Sequence, residues 1–127
     1  MKIQLSSVLV SDQEKALQFY THILGFVKHM DLPMGEARWL TVVSPEGPQD
    51  IQLVLEPNFN PAGATYQKAL FDQGIPATAF AVSDIEAEHQ RLVQQGVTFK
   101  LPPTHTGGPV IAVLDDTCGN YIQIYQV

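Results

Sequence analysis

The residues able to act on or hold a small molecule are few, and they are spread along the chain. His105 stands between Thr104 and Thr106 in a stretch rich in Pro and Gly. An imidazole is the side chain whose ordinary pKa lies near neutrality, which makes this residue a candidate acid/base group. Glu56, at the end of the apolar run Ile51 to Leu55, is the other candidate of that kind. Two amides, Gln52 and Gln123, lie inside apolar runs where a polar side chain needs a partner, either another protein group or a ligand. Period-two alternation places Tyr121, Gln123 and Tyr125 on one side of a strand, and Gln52, Val54 and Glu56 on one side of another. Arg38 could clamp a carboxylate or phosphate bidentately, or reach water from a sheet edge. Trp39 follows it and takes the opposite face, so only one of the two can point toward a ligand. His22 and His29 read as surface positions and His89 as a packed one. Cys118, the only cysteine, lacks a basic neighbour and reads as a structural thiol.

The elements that must position these groups come in two similar sets. Val10-Ser11-Asp12 and an amphipathic run ending in Leu24-Gly25-Phe26 are answered by Val82-Ser83-Asp84 and a run ending in Gln95-Gly96-Val97. Ser11-x-x-Glu14 and Ser83-x-x-Glu86 each spell a capping box, predicting a helix start after a strand, and Gly25 and Gly96 stop those helices. Ala16, Leu17, Tyr20, Ile23 and Leu24 form the apolar stripe of the first helix, and Ile85, His89, Leu92 and Val93 that of the second. Segments 28–37 and 101–109, with their Pro and Gly residues, read as loops, and strand pairs follow them. Short strands over 26–30 and 97–100 would complete two strand-helix-strand-strand-strand modules. Module one is expected over about 1–57, a linker and short helix over about 58–75, and module two over about 76–127. The whole is one domain of 127 residues.

Composition narrows the partners. The net charge is −6, so nucleic acid and anionic membrane are poor fits, and no run approaches membrane-span length. One cysteine and no signal-like start point to a cytoplasmic protein.

This duplicated order, with Phe19-Tyr20, Leu24-Gly25-Phe26 and Asp116-x-x-Gly119-Asn120-Tyr121-Ile122-Gln123, resembles the vicinal oxygen chelate superfamily of glyoxalase I, extradiol dioxygenases, fosfomycin-resistance enzymes and bleomycin-resistance proteins. The resemblance implies an α+β fold: two tandem β-α-β-β-β modules forming a curved mixed sheet around a concave pocket, helices outside. In catalytic members one metal ligand sits on each first strand, seven residues before the helix-starting aspartate, and one on each last strand. Those places fall on Leu5 and Ala77, and on Gln123 with Gln52 as its counterpart. Two apolar groups and two neutral amides do not suit a divalent ion. A shift of two residues along the first strands brings Ser7 and Ala79 instead, and adds one hydroxyl at most. The expectation is a protein without a metal or other cofactor that binds a small molecule through Gln52, Gln123, Tyr121, Tyr125, Arg38 and Ser7, in the manner of bleomycin-resistance proteins. A divergent glyoxalase-type lyase or isomerase and a dimeric interaction module with a vestigial pocket are the alternatives. A homodimer is expected on the same resemblance.

Overall fold

The structure, a computed structural model, describes residues 1–127. Its elements run β1 (Leu5–Val10), α1 (Gln13–Gln18), β2 (Val27–Met34), β3 (Ala37–Val43), β4 (Gln52–Pro57), α2 (Pro61–Gln73), β5 (Thr78–Ala81), α3 (Ile85–Gln94), β6 (Phe99–His105), β7 (Val110–Asp115) and β8 (Tyr121–Gln126). The strands form two four-stranded mixed sheets, ordered β1-β4-β3-β2 and β5-β8-β7-β6. In each, the first strand pairs parallel with the last and the other neighbours are antiparallel. This is the tandem β-α-β-β-β fold expected from the sequence. The chain divides into two compact units, Met1–Ala64 and Thr65–Val127, the boundary falling inside α2.

The helices start where the sequence suggests, but the serines do not cap them. Asp12 accepts the Lys15 amide at 3.0 Å and Asp84 the Ala87 amide at 3.0 Å. Each aspartate is in extended backbone geometry, so the caps lie one residue beyond Ser11 and Ser83. The first helix is α-helical only to Gln18 and winds on as a π-helical turn, Phe19–Ile23. There the Thr21 hydroxyl bonds the Leu17 carbonyl at 2.6 Å, competing with the regular backbone ladder. Gly25, at φ 89°, then turns the chain in a conformation that a side chain would disfavour.

The two segments read as loops contain strands. β2 runs through Pro33, and β6 through Pro102 and Pro103. Both are edge strands, where a residue without an N–H forfeits no ladder bond on its open side. In β6 the register shifts between Leu101 and Thr104, around the two prolines. The expected short helix between the modules is α2, followed by Gly74, but its buried residue is Gln67, while Tyr66 is exposed.

Alternation sorts each sheet into two faces. In the first unit Val8, Val10, Leu40, Val42 and Leu55 pack with Ala16, Leu17 and Tyr20 to make the core beneath α1. In the second, Ala112, Leu114, Ile122 and Ile124 do the same with Ile85 and Leu92 of α3. The side chains between these positions point away from α1 and α3, and they include most of the candidate ligand-binding residues.

Candidate functional site

In the first unit the helix-free face is assembled by register. Leu5 pairs with Gln52 and Ser7 with Val54 across β1 and β4; Gln52 pairs with Val43 and Val54 with Thr41 across β4 and β3. Gln52 is not free: its Oε1 accepts the Thr41 hydroxyl at 2.8 Å, and Thr41 is fully buried. Ser7 is exposed and Leu5 is half-exposed on the same face. Glu56, opposite Leu9 on β1, is exposed there as well.

The choice between Arg38 and Trp39 is decided by α1. Arg38 shares the helix side with Leu40 and Val42, where its Nε and Nη2 donate to both oxygens of Asp31 at 2.9 and 2.7 Å, and its Nη1 donates to Glu14 at 2.6 Å. Hydrogen bonds to the guanidinium hold the Asp31 and Glu14 carboxyls below their ordinary values and raise that of Arg38. Arg38 is therefore committed to a local ion-pair network and does not join Gln52. Trp39, partnered with Leu32 across β2 and β3, lies on the helix-free face.

One residue that the sequence reading passed over shapes this face. β3 and β4 pair over only three positions, Thr41 with Val54, Val42 with Leu53 and Val43 with Gln52. Beyond them the side-chain amide of Gln13, the first residue of α1, stands between the strands. Its Nε2 donates to the Arg38 and Leu55 carbonyls, each at 2.8 Å, and its Oε1 accepts the Arg38 amide at 3.0 Å. A side-chain amide so replaces a stretch of peptide ladder, and the sheet forks. The β2–β3 arm carries Trp39 and the β1–β4 arm carries Glu56.

In the second unit Gln123 pairs with Ala79 and Val113, and Tyr125 with Ala81 and Ile111. Tyr121, Gln123 and Tyr125 do share the face away from α3, each partly exposed. The Tyr121 ring is already engaged. Phe71 of α2 stacks on it, with centroids 4.4 Å apart and planes 4° from parallel, and the Lys100 Nζ lies 5.0 Å from its centroid. His105 pairs with Val110 at the far end of β6 and is exposed, on the side away from Gln123, so alternation separates this imidazole from the amide and phenols. His89 packs edge-on to Phe99 at 4.5 Å.

Pairing also corrects the correspondence between the two amides. Gln52 lies beside Leu5, whereas the residue beside Ala77 is Tyr121, whose carbonyl accepts the Ala77 amide at 2.9 Å; Gln123 lies beside Ala79. The turn from β3 to β4 is longer than that from β7 to β8, so the place of Gln52 falls in the second unit on Tyr121, two residues before Gln123.

That shorter turn is fixed by a buried polar cluster. Asp116 Oδ1 accepts the Cys118 and Asn120 amides at 2.7 and 3.0 Å, and its Oδ2 accepts Asn120 Nδ2 at 2.7 Å. From α2, Gln67 Nε2 donates to the Cys118 carbonyl at 3.1 Å and to Asn120 Oδ1 at 3.2 Å. The Asp-x-x-Gly-Asn signature is thus a turn brace that sets the start of β8, and Cys118 is buried within it.

The positions where the fold family places metal ligands do not suit a metal. Leu5 and Ala77 have no donor atom, the Gln52 oxygen is taken by Thr41, and no three His, Cys, Asp or Glu side chains converge anywhere in the chain. No helix is long and apolar enough to cross a membrane.

Two β-α-β-β-β modules in tandem, each with a helix on one side of a four-stranded mixed sheet, define the vicinal-oxygen-chelate class of fold. The chain belongs to the Glyoxalase/Bleomycin resistance protein/Dioxygenase superfamily, whose profile matches residues 2–124. It is 54% identical over 99% of both chains to the "Uncharacterized protein YurT" of Bacillus subtilis (strain 168). Among solved structures it is similar to UcmS2, with 30% identity, a TM-score of 0.84 and coverage of 98% of this chain and 97% of the other. It is also similar to TnmS3, an antibiotic binding protein from Streptomyces sp. CB03234, with 32% identity, a TM-score of 0.78 and coverage of 99% and 95%.

Proposed function

We propose that this protein binds a small organic molecule without a resident metal, sequestering it in the manner of bleomycin-resistance proteins rather than transforming it. The observation that carries this reading is the donor chemistry of the two sheet faces turned away from α1 and α3. The face of the first unit offers an indole, an amide and a carboxylate, that of the second a free phenol, Tyr125, and an amide, and where a metal centre would need ligands they hold Leu5, Ala77 and an amide already bonded to Thr41. Such a mixture orients a ligand by hydrogen bonds and apolar contact but supplies no proton relay. The likeness to TnmS3, an antibiotic binding protein, supports the same reading. We assign Gln52, Ser7 and Trp39 to ligand contact on the face of the first unit, and Gln123 and Tyr125 to ligand contact on that of the second, and we place the protein in the cytoplasm as a homodimer. Leu5, Leu32 and Met34, 50, 50 and 52% exposed, are apolar surface that association or ligand would cover.

Thermal shift separates the possibilities, since a ligand that prefers the folded state raises the apparent Tm. A small-molecule panel without metal should contain a stabilising compound, and Ni, Zn, Mn or Fe alone should produce no shift. Gln123→Leu should weaken the hit while leaving the Tm of the free protein within a few degrees. Stoichiometric metal in protein purified without a histidine tag would overturn the reading. Sedimentation analysis tests the homodimer.

A further inference from the structure

We propose that the fork in the first sheet is the recognition end of the ligand face, and that it takes a planar organic cation. The inference rests on the binding reading above and names the class of ligand. The fork is a built feature: the ladder between β3 and β4 stops after Thr41 and Val54, and Gln13 holds the two arms apart with three hydrogen bonds. Trp39 stands on one arm and Glu56 on the other, both on the face away from α1.

The charges on that face have one sign. None of the residues that strand register assigns to it is a lysine or arginine. Lys28 and Arg38 both lie on the helix side, within 3.9 Å and 2.7 Å of Asp31. Glu56 is exposed and joins no ion pair in its own unit. An indole binds cations over its face, a carboxylate without a partner favours the same sign, and the chain's net charge of −6 adds to both. Leu32, opposite Trp39, and Met34 provide apolar surface for the flat body of such a molecule. The second unit offers nothing equivalent, because Tyr121 already has Phe71 stacked on it and the Lys100 ammonium near its ring.

Trp39 is the only tryptophan, so its emission reports on this place alone. The probes are N-methylquinolinium, neutral quinoline and quinoline-6-carboxylate, titrated by calorimetry at pH 8 with Trp39 emission followed in parallel. The cation should bind about tenfold more tightly than quinoline and should perturb Trp39 emission. Glu56→Gln should erase that preference while leaving quinoline binding unchanged, and Trp39→Leu should weaken the cation and quinoline alike. Since Glu56 is exposed, its variant should fold with an unaltered Tm. Equal or tighter binding of quinoline or the carboxylate, a preference that survives Glu56→Gln, or no heat and no emission change with N-methylquinolinium would each overturn the proposal. If in those cases the metal-free panel still yields a stabilising compound, the cation class falls and the binding reading stands.

Discussion

The two sheets share one strand order and differ in one seam. β7 and β8 are paired at every position from Val110 with Gln126 to Asp115 with Tyr121, whereas β3 and β4 part after three. The cause lies at the first helical residue after each capping aspartate. In the second unit it is Ile85, 2% exposed, whose side chain joins the core and whose backbone amide donates to Gln126 Oε1 at 2.8 Å. In the first it is Gln13, whose amide satisfies groups on both strands and relieves them of pairing with each other. One topology therefore gives a closed sheet or a split one according to whether that side chain can hydrogen-bond. The closed sheet is instead specialised at its turn, where Asp116 braces the chain.

The comparison can be broken most severely at Asp116. Asp116→Ala strands two buried backbone amides and the Asn120 side chain, and should cost about 4 kcal/mol in urea denaturation, with β8 the first region to lose hydrogen-exchange protection. A loss below about 1 kcal/mol would mean that the turn does not depend on its brace. Next, exchanging the seam residues tests whether they cause the difference. Ile85→Gln puts an amide where the ladder is closed and should cost about 3 kcal/mol. The reciprocal Gln13→Ile leaves the Arg38 amide and two carbonyls without their partner and should cost about 1.5 kcal/mol, with a changed Trp39 emission as the arms shift. If Gln13→Ile proved the more damaging of the two, the seam argument would fail. The smallest effect belongs to the Arg38 network. The Asp31 carboxyl is lowered by Arg38 in the folded state, so the unfolded chain takes up its proton more readily as the pH drops. The stabilisation is therefore present above the ordinary value of 3.8 and is lost as pH falls through and below it. Asp31→Asn should remove that acid-side slope, at a cost of at most about 1 kcal/mol at pH 7.

Local signals in the sequence placed the starts of α1 and α3 to within a residue or two. Asp12, Asp84, Gly25 and Gly96 act over single turns, and of the apolar stripes that they bracket Ala16, Leu17, Tyr20, Ile85 and Leu92 are buried, whereas Val93, expected on the stripe of α3, is 49% exposed. The short strands expected over 26–30 and 97–100 are the starts of β2 and β6; their continuation escaped because proline reads as a breaker, yet at an edge it gives up no bond. The face shared by Tyr121, Gln123 and Tyr125 followed from alternation alone. The side taken by Arg38 did not, since it depends on Glu14 and Asp31, one on a helix and one on another strand. The correspondence of Gln52 with Gln123 slipped because the two hairpin turns differ in length, which moves register without changing the pattern of apolar residues. The fork had a visible trace: a glutamine and an isoleucine at the same place after two equivalent caps. Without the pairing there was no reason to read Gln13 as anything but a solvated helix residue.

The prolines on β2 and β6 bear on how copies of this chain could assemble. Each sheet has one outer edge interrupted by proline, while the opposite edges, β1 and β5, contain none. Extension of one sheet on both sides requires each of its borders to accept a neighbouring strand. Here each sheet can take a further strand at one border only, β1 in the first and β5 in the second. Any association of copies by strand addition would therefore run through β1 or β5 and not through the edges that carry Pro33, Pro102 and Pro103.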